Sequence, residues 1–178
     1  LILTFALTLK SMTGALGADV FVAGVVGGAA ESLFSMLPAI IFLVAVFLAF
    51  STGTSWGTFG ILIPIVTAIF ASSDPVLMNI GISACLAGAV CGDHISPISD
   101  TTVMASAGAN VSHISHVSTQ LPYALTVAGI SFVMFIIAGF VRNAFICLPI
   151  AVVLTIAVLY VLRCTVGKKS LEAYRAAK

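Results

Sequence analysis

Two apolar runs of this sequence are separated by the stretch CGDHISPISDTT, residues 91–102, which decides how the chain is expected to fold. Only 7% of all residues are charged, yet this stretch holds two of the six acidic residues, Asp93 and Asp100. An Asp near the centre of a membrane-spanning helix costs about 2.5 to 3.5 kcal/mol on insertion scales. The two acids should therefore be hydrated, paired or ion-bound, unless the stretch is a polar loop at the membrane surface.

The composition places the chain among integral membrane proteins. Hydrophobic residues make up 61% of the sequence and its mean hydropathy is +1.24, which predicts an all-α polytopic protein, a transmembrane helix bundle. The net charge is +1, and the basic residues gather near the C-terminus instead of forming a stripe, so nucleic acid is not an expected partner. The four cysteines lack CxxC spacing and are expected to be free thiols. No cofactor is predicted.

Two ordinary spanning helices are predicted near the C-terminus, over 121–141 and 144–162. Each is close to the ~20 residues that cross ~30 Å of hydrocarbon. A basic tail follows over 163–178, with Arg163, Lys168, Lys169, Arg175 and Lys178. By the positive-inside rule this tail should be cytoplasmic.

Earlier apolar runs are interrupted, which predicts discontinuous helices. The runs 38–50 and 58–70 flank STGTSWG, residues 51–57, and neither run is long enough to span alone, so 38–70 is interpreted as one broken span. A second broken span, 76–109, contains the acidic stretch. Paired interruptions of this kind are typical of secondary transporters. Residues 1–37 are not assigned.

Both interruptions are rich in oxygen-bearing side chains, which are ligands for hard cations such as Na⁺. The candidate cation- and proton-binding residues are Asp93, Asp100, Ser96, Ser99, Thr101, Thr52, Thr54 and Ser55. The candidate helix-breaking residues are Gly53, Gly57, Gly92 and Pro97. The other polar positions are His94, a pH sensor or a capping residue; His113 and His116, surface residues of a polar loop; and Asp74, a loop residue.

Pro97 is expected to separate the two acids. Because proline has no N–H and its ring clashes with the preceding turn, the first helix should end near Gly92. Ser96 would then cap the next helix, with Pro97 at its first position, leaving the Asp93 carbonyl free for a cation.

One alternative is enzymatic. Gly53–Gly57 matches the G-x-S-x-G pattern of a serine-hydrolase nucleophile elbow. An elbow requires a strand before the serine, whereas both flanks here are apolar runs of helical length. The protein is therefore not expected to be an enzyme.

Two phrases carry a family resemblance: FSTGTSWGTFGILIPIV, residues 50–66, and AGAVCGDHISPISDTTVMASAGANVSHISHVSTQLPYAL, residues 87–125. They resemble the C-terminal half of NhaC-type Na⁺/H⁺ antiporters of bacteria. The resemblance implies half of an inverted-repeat transporter in the bacterial inner membrane, so we interpret the chain as one transporter domain whose N-terminal half is missing. Its C-terminus would be cytoplasmic.

The expected function is exchange of Na⁺ for H⁺ by alternating access. Its expected partners are Na⁺, H⁺ and the lipid bilayer, and the sequence leaves the oligomeric state open. The alternative is a Na⁺- or H⁺-coupled carrier of a small organic acid or amino acid, in which the hydroxyls of residues 51–57 hold the solute. A non-transporting scaffold would leave Asp93 and Asp100 unexplained.

Overall fold

The computed structural model describes residues 4, 8, 11–12, 15–17, 31–70 and 74–167. From residue 31 onward, these ranges contain the helices α1 (Glu31–Thr52), α2 (Ser55–Phe70), α3 (Pro75–Ile95), α4 (Asp100–Gly108), α5 (His113–Val141) and α6 (Ala144–Leu162), then a π-helical turn (Arg163–Gly167). Four segments are long and apolar enough to cross a bilayer: Phe34–Thr52, Pro75–Ile95, His113–Val141 and Ala144–Thr165. The prediction of an all-α polytopic membrane protein is confirmed.

The packing of α1 against α3 forms the centre of the first of two compact units, Leu1–Arg142. These helices run in the same direction, because Gly88 faces the Phe42 carbonyl and Gly92 faces the Val46 carbonyl one turn later. A methyl group at either glycine would overlap those oxygens, so glycine permits the close approach. Gly92 therefore lies inside α3, as a packing residue and not as the predicted helix-breaker.

Helices α2 and α5 both run back along this pair. The ring centroids of Phe34 and Phe70 lie 6.4 Å apart, which brings the end of α2 to the start of α1. Phe135 of α5 lies 5.3 Å from Phe42 by ring centroids. The result is an α1–α2 hairpin whose turn contains Gly53, with φ +66°. The fully buried side chains that fill the core are mostly apolar and include Phe42, Phe70, Leu77, Val66 and Cys85.

The interruptions expected in broken spans over 38–70 and 76–109 take a different form. Helix α1 begins at Glu31 and contains Pro38, so its 22 residues are long enough to span alone, contrary to the expectation for this half. A proline inside a membrane helix is tolerated where neighbouring groups pack around it, and Pro38 is fully buried. Each interruption thus separates a helix of spanning length from a shorter one, α2 or α4, and the two interruptions lie at the same end of the α1–α3 pair.

A polar clamp lies at the other end of the pair. It consists of Ser35, Asp74 and Arg142, which come from α1, the N-cap of α3 and the end of α5. The Asp74 Oδ1 atom accepts the Val76 N–H at 2.8 Å, and its Oδ2 atom lies 3.0 Å from Arg142 Nη1. Arg142 also donates to the Ser35 hydroxyl at 3.3 Å. Asp74 is therefore a helix cap and an ion-pair partner, more than the expected loop residue.

The second unit, Asn143–Lys178, contains α6. The Asn143 side chain accepts the Phe145 N–H at 3.0 Å and caps the helix. The candidate span Ala144–Thr165 has a mean hydropathy of 2.8. The basic residues of the predicted tail after Arg163 lie outside the described residues.

Candidate functional site

The two helix interruptions touch each other. A Cβ atom at Gly53 would lie 2.9 Å from the Cγ1 atom of Ile98 and 3.0 Å from its carbonyl oxygen, so the turn after α1 rests on the turn after α3. The buried Ser96 hydroxyl donates to the Phe50 carbonyl at 2.7 Å. That carbonyl is in the last turn of α1, where no N–H of a continuing helix is available to it. Ser96 thus replaces the missing helical partner and joins the two interruptions.

The second interruption has a different local geometry from the one predicted. Helix α3 continues to Ile95, Ser96 is its C-cap, and Ser99 is the N-cap of α4. The prediction of Ser96 as an N-cap was wrong, because residues 97 and 98 form a turn and α4 begins only at Asp100; the extended backbone of Ser96, with φ −73° and ψ 128°, ends α3 before Pro97.

Two of the carbonyls at the end of α3 accept hydrogen bonds from nearby groups. The Asp93 carbonyl accepts the Ser96 N–H at 3.1 Å, and the His94 carbonyl accepts the Thr102 hydroxyl at 3.1 Å. The Asp93 carbonyl is therefore not free for a cation, contrary to the prediction. One buried side-chain atom near this turn has no hydrogen-bond partner among the described residues.

That atom is Oδ1 of Asp93. The residue is 5% exposed, and among the described residues its Oδ1 atom has no hydrogen-bond partner. Burying a polar group without a hydrogen-bond partner costs about 1–3 kcal/mol in proteins. Burying an unpaired charge costs more. Because nearly all buried polar atoms in folded proteins are paired, an unpaired carboxylate oxygen indicates a place for a proton, a water or a cation.

Asp100 lies in a contrasting environment. It is exposed, it is the first residue of α4, and its Oδ1 atom accepts the Thr101 N–H at 2.8 Å. A carboxylate in the first turn of a helix is stabilised by the helix dipole and the free N–H groups there. The position of Asp100 thus has a structural explanation that Asp93 lacks. His94 is also exposed.

Two hydroxyls of the second interruption are in contact. Ser99 is buried, and its Oγ atom lies 2.7 Å from the Thr101 Oγ1 atom. With the buried Ser96, these residues give a small group of oxygen atoms within eight residues of Asp93. The described residues contain no group of three or more His, Cys, Asp or Glu suited to a resident metal ion.

The hydroxyls of the first interruption serve their own helices. Thr52 is exposed and donates to the Leu48 carbonyl at 2.8 Å. Thr54 accepts the Gly57 N–H at 3.3 Å, so it caps α2, which begins at the half-buried Ser55. Gly57 consequently lies inside α2 and not at a break. Gly53 and Pro97 are the predicted helix-breakers that do lie in the interruptions.

His113 is a residue whose contacts sequence reasoning missed. It begins α5 instead of lying in a surface loop, and its Nε2 atom is 2.6 Å from the Pro97 carbonyl oxygen. Its Nδ1 atom lies 3.2 Å from the buried Ser106 hydroxyl. The sequence feature that could have predicted these contacts is the polar segment before the apolar part of α5. Such a segment can extend the helix beyond the bilayer, toward the interruption. His116 has no side-chain hydrogen bond to the residues the structure describes.

Comparison with protein families identifies the family of this chain. The model of the Na⁺/H⁺ antiporter family matches residues 1–140. The chain belongs to this family. Membership agrees with the polytopic helical fold. No solved structure matches the chain.

Three curated relatives show sequence similarity. An uncharacterised protein of Haemophilus influenzae is 48% identical over 139 residues, which is 78% of this chain and 26% of the relative. The malate-2H⁺/Na⁺-lactate antiporter of Bacillus subtilis is 36% identical over 90 residues, 51% of this chain and 19% of the relative. An uncharacterised Na⁺/H⁺ antiporter of H. influenzae is 38% identical over 98 residues, 51% of this chain and 21% of the relative. The chain thus spans about a quarter or less of their lengths.

Proposed function

We propose that the complete protein is a secondary transporter that exchanges Na⁺ for H⁺ across the membrane. The observation that carries the proposal is the buried Oδ1 atom of Asp93, which has no hydrogen-bond partner within the described part of the chain and lies at two contacting helix interruptions. Family membership supports the same conclusion. A carboxylate in such a place can hold either a proton or a cation, and a site that holds one at a time exchanges them as it changes the side it faces.

The other ligands of the transported Na⁺ are proposed from the hydroxyls nearest in the chain. Ser96, Ser99 and Thr101 supply oxygen atoms, the ligand type that hard cations prefer. Asp100 is the second acid of the same interruption. We keep it as a second candidate for proton and cation binding, since an exposed carboxylate can attract the ion to the site. Thr52, Thr54 and Ser55 of the first interruption complete the proposed set, and His94 remains a candidate pH sensor.

A second candidate function is exchange that includes a small organic acid. The observation that favours it is the 36% identity with the malate-2H⁺/Na⁺-lactate antiporter, which includes both ion coupling and organic acids in its name. In this case Na⁺ and H⁺ would still bind near Asp93, and the solute would need further groups.

Exchange in proteoliposomes tests both candidates. The complete protein is reconstituted with a pH-sensitive dye inside, and Na⁺ is added with and without malate or lactate. Na⁺-dependent proton movement without a solute supports Na⁺/H⁺ exchange, whereas movement that requires a solute supports the second candidate. Asp93→Asn and Asp100→Asn should each abolish exchange while membrane insertion persists. Wild-type exchange in both variants would reduce the two carboxylates to a polar loop.

Localisation in the bacterial inner membrane is part of the proposal, with the C-terminus in the cytoplasm. The supporting feature is the excess of basic residues after α6, at Arg163 and in the sequence from 168 to 178. A cysteine introduced at Ala176 in a variant without other cysteines should react with an impermeant maleimide from the cytoplasmic side only. Reaction from the outside alone would invert the topology.

A further inference from the structure

His113 links the turn of the second interruption with the two helices that follow it, α4 and α5. Its Nε2 atom lies 2.6 Å from the carbonyl oxygen of Pro97, in the turn between α3 and α4. Its Nδ1 atom lies 3.2 Å from the Ser106 hydroxyl in α4, and the histidine itself begins α5. Ser106 is only 3% exposed, and this contact is partly buried. One side chain therefore ties the turn to both of the following helices.

The number of available protons determines the state of the ring. The Pro97 carbonyl only accepts hydrogen bonds, so Nε2 carries a proton. The Ser106 hydroxyl has a single proton, and it donates to the Val103 carbonyl at 2.9 Å. Nδ1 must then donate to Ser106 if all three bonds are to form together, which makes the ring an imidazolium. With a neutral ring, Nδ1 and the Val103 carbonyl compete for one hydroxyl proton.

The position of the turn matters for the candidate ion site. Pro97 follows Ser96, whose hydroxyl bonds the Phe50 carbonyl of α1, and whose N–H bonds the Asp93 carbonyl. A shift of the Pro97 carbonyl would therefore alter the end of α3, where Asp93 lies. His113 reaches the site through this turn and does not itself touch Asp93.

We propose that His113 is a positioning residue: it holds the turn between Ser96 and Ser99 in the geometry that binds the cation, and it does so most strongly when both ring nitrogens are protonated. The inference rests on the proposed Na⁺/H⁺ exchange. The other titratable groups on the surrounding elements are Cys85, Cys91, Asp93 and His94 on α3, Asp100 on α4, and His116 and Tyr123 on α5. None of them is hydrogen-bonded to the ring in the part of the chain that the structure describes.

The sign of the pH effect follows from the hydrogen bonds. Acid pH favours the ring with both nitrogens protonated, and hydrogen bonds from a charged donor are stronger than those from a neutral one. The contribution of His113 to Na⁺ affinity should therefore be largest at acid pH and should fall as the pH rises. Competition between H⁺ and Na⁺ at a carboxylate has the opposite sign, so the effect must be read from the ratio of variant to wild type at each pH.

The test measures the apparent KM for Na⁺ and the maximal exchange rate of the complete protein in proteoliposomes. For His113→Ala, the KM should exceed that of the wild type about tenfold near pH 5.5 and about threefold near pH 8.5, with a maximal rate changed less than about twofold. His113→Gln should recover most of the affinity at the higher pH, because its amide can donate to Pro97. His116→Ala is the matched control and should behave like the wild type.

A ratio that does not change with pH, with no recovery in His113→Gln, would overturn the proposal and leave His113 a structural residue. An equal effect of His116→Ala would overturn it as well. Amide hydrogen exchange provides a readout independent of transport: the peptide over 96–103 should exchange faster in His113→Ala than in the wild type, with the larger ratio at acid pH. If the wild type shows no Na⁺-dependent exchange, the proposed function fails, and this second readout still decides the link between His113 and the turn.

Discussion

The two ends of the α1–α3 pair treat an acidic side chain in opposite ways. At the clamp end, Asp74 is half-buried, accepts the Val76 N–H and pairs with Arg142 at 3.0 Å. At the end with the interruptions, Asp93 is only 5% exposed and its Oδ1 atom has no partner among the described residues. The more deeply buried acid is thus the less well satisfied one.

This difference is the basis of our proposal that Asp74 is a structural acid and Asp93 a functional one. If stability alone mattered, the buried Asp93 would need a partner more than Asp74 does, because desolvation costs more at a buried position than at a half-exposed one. Asp74 is instead the acid that is paired, while one atom of Asp93 has no partner in the ranges that the structure describes. Such an arrangement costs stability and is expected where a group must bind and release a ligand. The comparison therefore predicts stability effects at the clamp end and transport effects at the other end.

The largest stability effect is expected from Gly139→Ala at the clamp end. A methyl group there would overlap the Ser35 carbonyl oxygen, so α1 and α5 would have to move apart. Overpacking of this kind costs about 1–3 kcal/mol or more, and thermal unfolding in detergent should show a clear drop in Tm. Gly129→Ala on the same helix is the control, since no atom lies within 4 Å of the added methyl. Equal melting of both variants would show that the close approach is not needed.

An intermediate effect, on transport, is expected from Ser96→Ala at the other end. The variant leaves the Phe50 carbonyl without its 2.7 Å partner and removes the link between the two interruptions. A lost buried hydrogen bond of about 1–3 kcal/mol should raise the apparent KM for Na⁺ severalfold. The control is Ser83→Ala in the same helix, whose hydroxyl bonds its own helix at the Asn79 carbonyl. An unchanged KM in Ser96→Ala would separate this turn from ion binding.

The smallest effect is expected from Asp74→Asn. The ion pair with Arg142 is about one-third exposed on both sides, and such pairs contribute about 0.2–1 kcal/mol. The Asn side chain can still cap α3, whereas Asp74→Ala should lose about 1 kcal/mol more. Melting curves should rank the wild type, Asn and Ala in this order, with exchange per folded molecule unchanged. Loss of exchange in Asp74→Asn would break the contrast between the two ends.

Much of the fold could be predicted because composition and apolar run length report directly on bilayer-spanning helices. The helical class and the apolar run over 144–162 were visible in this way, and α6 has those bounds. The start of α1 was not, because Pro38 looked like a boundary although buried packing tolerates it inside the helix. The hairpin of α1 and α2 also depends on contacts between distant residues, Phe34 with Phe70, which periodicity does not report.

The candidate site was predicted in part for a similar reason. Two acids in an apolar chain identified residues 91–102, since charge is costly there. The different environments of Asp93 and Asp100 were not predictable, because a spacing of seven residues does not show which side chain the neighbouring helices cover. Likewise, the contact between His113 and Pro97 joins residues sixteen apart in the chain, and it depends on how α4 and α5 pack.

Direct Na⁺ binding is the measurement that tests the central claim, that Asp93 holds the cation or the proton. Radioactive Na⁺ is titrated onto the purified complete protein at alkaline pH, where protons compete least, for the wild type, Asp93→Asn and Asp74→Asn. The account predicts saturable binding by the wild type and by Asp74→Asn, and none by Asp93→Asn. The melting temperature of Asp93→Asn should equal or exceed that of the wild type, because a neutral amide replaces the buried carboxylate. Saturable binding by Asp93→Asn with the affinity of the wild type would contradict it.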